Sequence, residues 1–83
     1  MKMEIFEYGV YVKKEMVAGF NDLDRAIAYA LKVSKKERCD TDVINSFTGE
    51  VHKSYCCFLK VTYNADLEEI EKYYEVKERE WFI

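Results

Sequence analysis

Apolar and polar residues alternate at the start of the chain. The apolar positions stand two apart, at Phe6, Tyr8, Val10 and Val12. This two-residue period is typical of a strand with one buried face. A polar triplet at 13–15 separates this strand from a second apolar run at 16–20. The spacing predicts two antiparallel strands joined by a short hairpin turn.

The next segment has the period of a helix. Asn21 or Asp22 can cap it, because a short side-chain oxygen there accepts hydrogen bonds from the free N–H groups of the first turn. The apolar positions then recur every three or four residues, at Leu23, Ala26, Ile27, Ala30 and Leu31. This pattern predicts an amphipathic helix that packs on the sheet and fades near residues 34–36, where the apolar period stops.

A second hairpin follows the helix. Residues 41–47 are rich in β-branched and aromatic side chains, and Thr48-Gly49 supplies a tight turn. The alternating run at 51–63 is much longer than the usual strand of about five or six residues. We expect this strand to bend, to carry a bulge or to extend beyond its partner, and the pattern leaves these three alternatives open.

The last segment has the signals of a helix start. Asn64-Ala65-Asp66 offers a cap, and Glu69 stands three residues after Asp66, as in a capping box. Leu67, Ile70, Tyr73, Tyr74 and Trp81 supply an apolar and aromatic side. The prediction is a C-terminal acidic amphipathic helix. Residues 1–83 are therefore predicted to form a single α+β domain in the order ββαββα, with an antiparallel sheet and one helix packed on it.

Composition and charge narrow the function classes. The hydrophobic fraction of 49% is enough to build a core in 83 residues. Residues 64–83 carry a net charge of -4 and the remaining 63 residues carry +1, so the acidity belongs to the C-terminal segment. Overall attraction to nucleic acid or anionic lipid is not favoured. The absence of a long apolar stretch or an N-terminal signal predicts a cytoplasmic protein.

The residues that most often carry chemistry are few and scattered. His52 and Cys56 share a strand face about 13 Å apart, which is too far for one metal ion. Cys56 and Cys57 point to opposite faces, and no base is indicated beside them or Cys39. The three glycines form no phosphate-binding pattern. We expect no catalytic residue, no metal and no cofactor, and a chain that is not an enzyme.

Two surfaces remain as candidate binding sites. The predicted protein-binding residues are Glu71, Tyr74, Glu75, Glu78 and Trp81, because aromatic anchors amid charge are typical of interfaces. The ordinary alternative is a helix that packs its aromatic residues on its own sheet. The predicted nucleic-acid-binding residues, as an alternative function, are Lys13, Lys14, Lys35, Lys36 and Arg38. Such bases near turns and a helix end are usually only solubilising charges.

The chain also resembles a group of small proteins. The pieces GFNDLDRAIAYA at 19–30 and TGEV at 48–51 resemble small ββαββ-type accessory proteins of bacteria, phages and mobile elements. The resemblance implies an inhibitor of a host defence system, anti-CRISPR-like, that occupies a nucleic-acid-binding surface. It implies no catalytic residues.

The leading hypothesis is a non-enzymatic protein that docks on a larger, basic protein partner through the C-terminal helix or an exposed sheet edge. The alternative hypothesis is a nucleic-acid-binding accessory domain that uses the basic turn and the end of the helix. Either function is compatible with a homodimer formed through an edge strand. No membrane association is expected.

Overall fold

The computed structural model describes residues 6–79, which form a five-stranded antiparallel sheet with one helix against it. The elements are β1 Tyr8–Val12, β2 Glu15–Phe20, α1 Leu23–Glu37, β3 Thr41–Asn45, β4 Val51–Asn64 and β5 Glu69–Glu78. The strand order across the sheet is β2-β1-β3-β4-β5. The predicted antiparallel sheet with one helix packed on it is present, and so are the first four predicted elements.

The first hairpin closes tightly. Lys13 and Lys14 both adopt positive φ angles of 52° and 67°, as a two-residue turn between right-twisted strands requires. A register shift between Val10 and Tyr11 places a bulge in the pairing of β1 with β2. The two lysines therefore lie at the end of the sheet where β1 ends and β2 begins.

Helix α1 has a side-chain cap at its start and a backbone cap at its end. The backbone N–H of Asp24 donates to Asp22 Oδ1 at 2.9 Å, which caps the first turn. The helix continues to Glu37, and Arg38 then adopts the left-handed conformation while its N–H donates to the carbonyl of Ser34. Within residues 6–79 no helix is long and apolar enough to cross a membrane.

Strand β3 ends at Asn45, two residues earlier than predicted. The side-chain oxygen of Asn45 accepts hydrogen bonds from the N–H groups of Phe47 and Thr48 at 2.9 and 3.0 Å. These bonds fold the chain into a turn before the strand can continue. Gly49 completes the turn with a φ of 75°.

The core lies between α1 and one face of the sheet. Its fully or nearly fully buried apolar members are Val10, Ala26, Ala30, Val43 and Tyr55. The buried hydroxyl of Thr41 donates to the carbonyl of Ala30 at 3.0 Å and ties β3 to the helix. The helix stripe predicted from the sequence is therefore the stripe that packs on the sheet.

The predicted C-terminal helix is wrong. Residues 69–78 form strand β5, so the element order is ββαβββ rather than ββαββα. The side-chain oxygen of Asn64 accepts hydrogen bonds from the N–H groups of Asp66 and Leu67 at 3.1 and 3.3 Å, and Glu68 has a φ of 52°. These features build a hairpin turn, because an Asn side chain can satisfy free N–H groups in a turn as well as at a helix start.

Strand β4 extends beyond its first partner. It pairs with β3 only as far as Tyr55, whereas β5 follows it through ten residue pairs to Asn64. Of the three alternatives left open by the sequence, extension accounts for the length of this strand. The pairing with β3 also skips His52, between Val51 opposite Ile44 and Lys53 opposite Val43, so β4 carries the predicted bulge as well.

Candidate functional site

A two-stranded β-hairpin projects from the rest of the fold. We define the arm as residues 58–75, where β4 and β5 pair only with each other. The radius of gyration is 16.3 Å, whereas a compact domain of this length has about 12 Å. The longest axis of the molecule is 62 Å. The elongation is consistent with an arm that stands clear of the core.

One face of the arm is apolar and open to solvent. This apolar face consists of Leu59, Val61, Tyr63, Ile70, Lys72 and Tyr74, which the strand register places on one side. Val61 is 55% exposed, Tyr63 66% and Ile70 62%. The apolar face continues the sheet face that α1 covers, since Val76 on β5 packs against the core.

The apolar face is open because the helix is too short to cover it. A helix of 15 residues is about 22 Å long. Strand β4 has 14 residues and is about 46 Å long. The helix ends at the base of the arm, where the guanidinium of Arg38 lies 4.5 Å from the centroid of the Tyr74 ring.

Positive charge surrounds the apolar face at its base. A hollow of about 610 Å³ lies there, lined by Lys35, Arg38, Leu59, Lys72, Tyr73 and Tyr74. Lys72 is the only charged member of the apolar face, and none of its six members is an acid. The apolar strip is therefore bordered by three cations.

The opposite face of the arm is charged. We define the charged face as Phe58, Lys60, Thr62, Glu69, Glu71, Tyr73 and Glu75. Lys60 Nζ lies 3.5 Å from Glu75 Oε2 and 5.8 Å from the centroid of the Tyr73 ring. Hydrogen bonding to Tyr73 and then the charge of Glu75 raise the pKa of Lys60. Glu75 is thus paired within the arm.

The predicted protein-binding residues do not form one stripe. Glu71 and Glu75 lie on the charged face, and Tyr74 lies on the apolar face. Glu78 is at the base, where its carboxylate pairs with a lysine of β4 at 3.4 Å. They separate because successive residues of a strand point to opposite faces. Trp81 lies outside the described residues.

Sequence reasoning missed the exposed apolar residues of the arm. The alternating run at 51–63, which contains Leu59, Val61 and Tyr63, predicts a long strand but no binding surface. Their alternation with polar residues was a correct signal of a shared face. The missing information was the end of the helix, which decides whether that face is covered.

The predicted basic residues converge only in part. Lys13, Lys14 and Arg38 line a cleft of about 490 Å³ together with Arg79. Three acids, Glu37, Asp40 and Asp42, line the same cleft. Lys35 and Lys36 lie elsewhere, beside the base of the arm and on the exposed side of the helix. The cleft is therefore of mixed charge.

The three cysteines line the same cleft as these bases, whereas His52 does not. Burial, followed by the charges of Glu37 and Cys57, raises the pKa of the Cys39 thiol, which disfavours the nucleophilic thiolate. The ring of His52 packs edge-on against Tyr8 with centroids 5.4 Å apart. No group of three metal-ligating side chains occurs among residues 6–79.

No protein-family model, curated protein or solved structure is significantly similar to this chain. The resemblance of residues 19–30 and 48–51 to accessory proteins that inhibit host defence therefore stays a prediction. Function is argued below from the geometry of the arm and the cleft.

Proposed function

We propose that this chain is a non-enzymatic binding module that docks on a larger protein through the apolar face of its arm. The observation that carries the proposal is the open apolar strip formed by Val61, Tyr63 and Ile70, each more than half exposed. Contiguous apolar surface of this kind is unusual on a monomer and commonly marks an interaction site.

The dimensions of the apolar face fit a helical segment of the partner. Leu59 and Tyr63 stand four residues apart on β4, which is about 13 Å. This distance equals about two and a half turns of a helix. A partner helix laid along the strip would cover the apolar side chains in the way that α1 covers the rest of the same sheet face.

Charge complementarity specifies the partner further. Lys72 on the apolar face and Lys35 and Arg38 at its base favour an amphipathic helix with acidic residues along its borders. Acidic flanking residues would pair with these cations at the rim, where charges govern orientation and the rate of association more than affinity. A basic partner, as the sequence predicted, would be suited only to the opposite, charged face.

The test is a pull-down with two matched variants. Val61 and Thr62 are neighbours on β4 with side chains on opposite faces, and both are exposed. Val61→Gln changes the apolar face, whereas Thr62→Gln introduces the same side chain on the charged face. Nuclease-treated lysate is passed over each immobilised protein, and retained proteins are identified by mass spectrometry.

We expect one dominant protein to be retained by the wild type and by Thr62→Gln, and lost from Val61→Gln. Loss of a buried valine and burial of an amide should weaken the purified complex by about 2 kcal/mol, which is roughly thirtyfold in dissociation constant. Equal retention by both variants would contradict docking on the apolar face. The retained protein should contain an acidic amphipathic helix.

Nucleic-acid binding at the basic cleft is the second candidate function. Its support is the convergence of Lys13, Lys14 and Arg38 on one cleft. The acids in the same cleft oppose phosphate binding, so we place this function second. In the same pull-down, omission of nuclease followed by measurement of absorbance at the nucleic-acid maximum separates the two functions. Retained nucleic acid that is released by moderate salt would favour the cleft.

A further inference from the structure

The outer edge of β5 is a long strand edge without a partner. β5 stands last in the sheet order and has no second neighbour among residues 6–79. Its ten pairs with β4 run without a register shift. The opposite edge of the sheet is protected, because β2 has only six residues and its pairing contains a bulge. Long, regular edges are templates for pairing with another strand.

We infer that the edge of β5 pairs with β5 of a second copy of this chain, antiparallel and across a two-fold axis. An axis perpendicular to the sheet keeps the same face upward in both copies. Each side chain then lies beside a side chain from the same face of the other copy. This condition limits the pairing to registers in which one residue of β5 opposes itself.

The charges and the length of β5 together favour one of these registers. With Tyr74 on the axis, Glu71 lies beside Lys77 of the second copy, and symmetry makes this pair twice. A register centred on Tyr73 would oppose Glu71 with Glu75. A register centred on Glu75 would oppose that carboxylate with its own copy. A register centred on Val76 would also oppose Glu75 with Lys77, but it pairs only residues 74–78, because β5 ends at Glu78. Opposite charges stabilise cross-strand pairs and like charges destabilise them, so β5 is complementary to itself around Tyr74.

The remaining pairs of this register contain no like charges. They are Tyr73 with Glu75, Lys72 with Val76, and Ile70 with Glu78. The pairing would extend the two five-stranded sheets into one continuous sheet. It would also lay each arm alongside the edge of the other copy's sheet, which satisfies backbone N–H and C=O groups that otherwise face water.

A charge swap across the axis tests this register. Glu71→Lys alone and Lys77→Glu alone each create two like-charge pairs between the copies, whereas Glu71→Lys with Lys77→Glu restores two opposite-charge pairs. Within one chain these residues oppose Thr62 and Cys56, which are uncharged. Both positions are exposed, so the fold should persist, and circular dichroism checks that it does.

Sedimentation equilibrium over a range of protein concentrations measures the dimer dissociation constant of each variant. We expect the wild type to dimerise, each single variant to dimerise at least tenfold more weakly, and the double variant to recover most of the affinity. Glu68→Lys, which makes the same charge change in the turn at the tip of the arm, should dimerise as the wild type does.

Three results would overturn the inference. A wild type that stays monomeric up to millimolar concentration excludes the pairing. A dimer that is unaffected by either single variant does not use this edge. A dimer that both single variants weaken, and that the double variant fails to restore, uses another register or another contact. None of these results bears on the apolar face, because Val61→Gln leaves the edge of β5 unchanged.

Discussion

Removal of the arm should leave the folded core nearly as stable as before. The change replaces residues 60–73 with the two residues Asn-Gly, so that Leu59 and Tyr74 flank a two-residue turn. These two residues are opposed in the β4–β5 pairing. A two-residue Asn-Gly turn is the favoured connection between such a pair. The stacking of Arg38 on Tyr74 is preserved.

The expected change in the free energy of unfolding follows from the contacts that the deletion removes. The deletion removes the ion pair between Lys60 and Glu75, whose side chains are 45% and 30% exposed, and an exposed pair contributes roughly 0–1 kcal/mol. A two-stranded hairpin in water is itself only marginally stable. Every buried core residue lies outside the deleted segment. The free energy of unfolding should therefore change by about 1 kcal/mol or less.

Urea denaturation followed by circular dichroism measures this change. Tyr55→Ala serves as the comparison, because Tyr55 is 8% exposed in the core and its truncation should cost about 3 kcal/mol. If the shortened chain lost as much stability as Tyr55→Ala, or no longer unfolded cooperatively, the arm would be part of the core. Its open apolar face would then have a structural explanation.

Two further predictions concern the sheet and the cleft. Ser54→Ala should lower the free energy of unfolding, measured by urea denaturation, by about 2 kcal/mol, because the nearly buried Ser54 hydroxyl donates to Asp42 Oδ1 at 2.6 Å. Ser46→Ala is the control, and it should have no effect because Ser46 is exposed. Equal effects of the two substitutions would refute the reasoning. Burial and then Glu37 raise the pKa of Cys39, so iodoacetamide should alkylate it more slowly than free cysteine at pH 8 and faster as the pH rises. Because the folded pKa is the higher one, this group stabilises the fold below the ordinary thiol pKa, and its contribution is lost as the pH rises through the folded pKa. Alkylation at the rate of free cysteine, measured by mass spectrometry, would contradict this.

The sequence predicted the helix well because its signals are local. Asp22 caps the first turn, and Leu23, Ala26 and Ala30 define the face that packs on the sheet. Cap and apolar period are both properties of a few neighbouring residues. No information from distant parts of the chain was needed to place this element.

The last strand was mistaken for a helix because its local signals are ambiguous. Asn64 provides the same side-chain hydrogen bonds in a hairpin turn as in a helix cap. The adjacent pair Tyr73 and Tyr74 fits a helical stripe as well as either face of a strand. The decisive signal was not local, since the far half of β4 required a partner strand that only the following residues could supply.

The candidate site was only partly predictable for a similar reason. Residue types such as Val61 and Tyr63 are equally typical of a buried strand and an exposed one. Exposure depends on the length of α1 relative to β4, which compares two elements far apart in the sequence. The three predicted bases that line the cleft, Lys13, Lys14 and Arg38, lie together because the first turn and the end of the helix are at the same end of the sheet.

The two proposed contacts use different parts of the arm and can form together. Edge pairing engages the backbone of β5 and the alternating charges Glu71 and Lys77, and it leaves the apolar face uncovered. The two-fold axis perpendicular to the sheet places the apolar faces of both copies on the same side. A dimer would thus present two apolar strips, related by the axis near Tyr74, to one symmetric partner or to two helices. Suppose that Val61→Gln abolishes binding of the partner and that Glu71→Lys only weakens it. Dimerisation would then contribute to partner binding through avidity, by supplying the second strip, and the edge of β5 would not contact the partner directly.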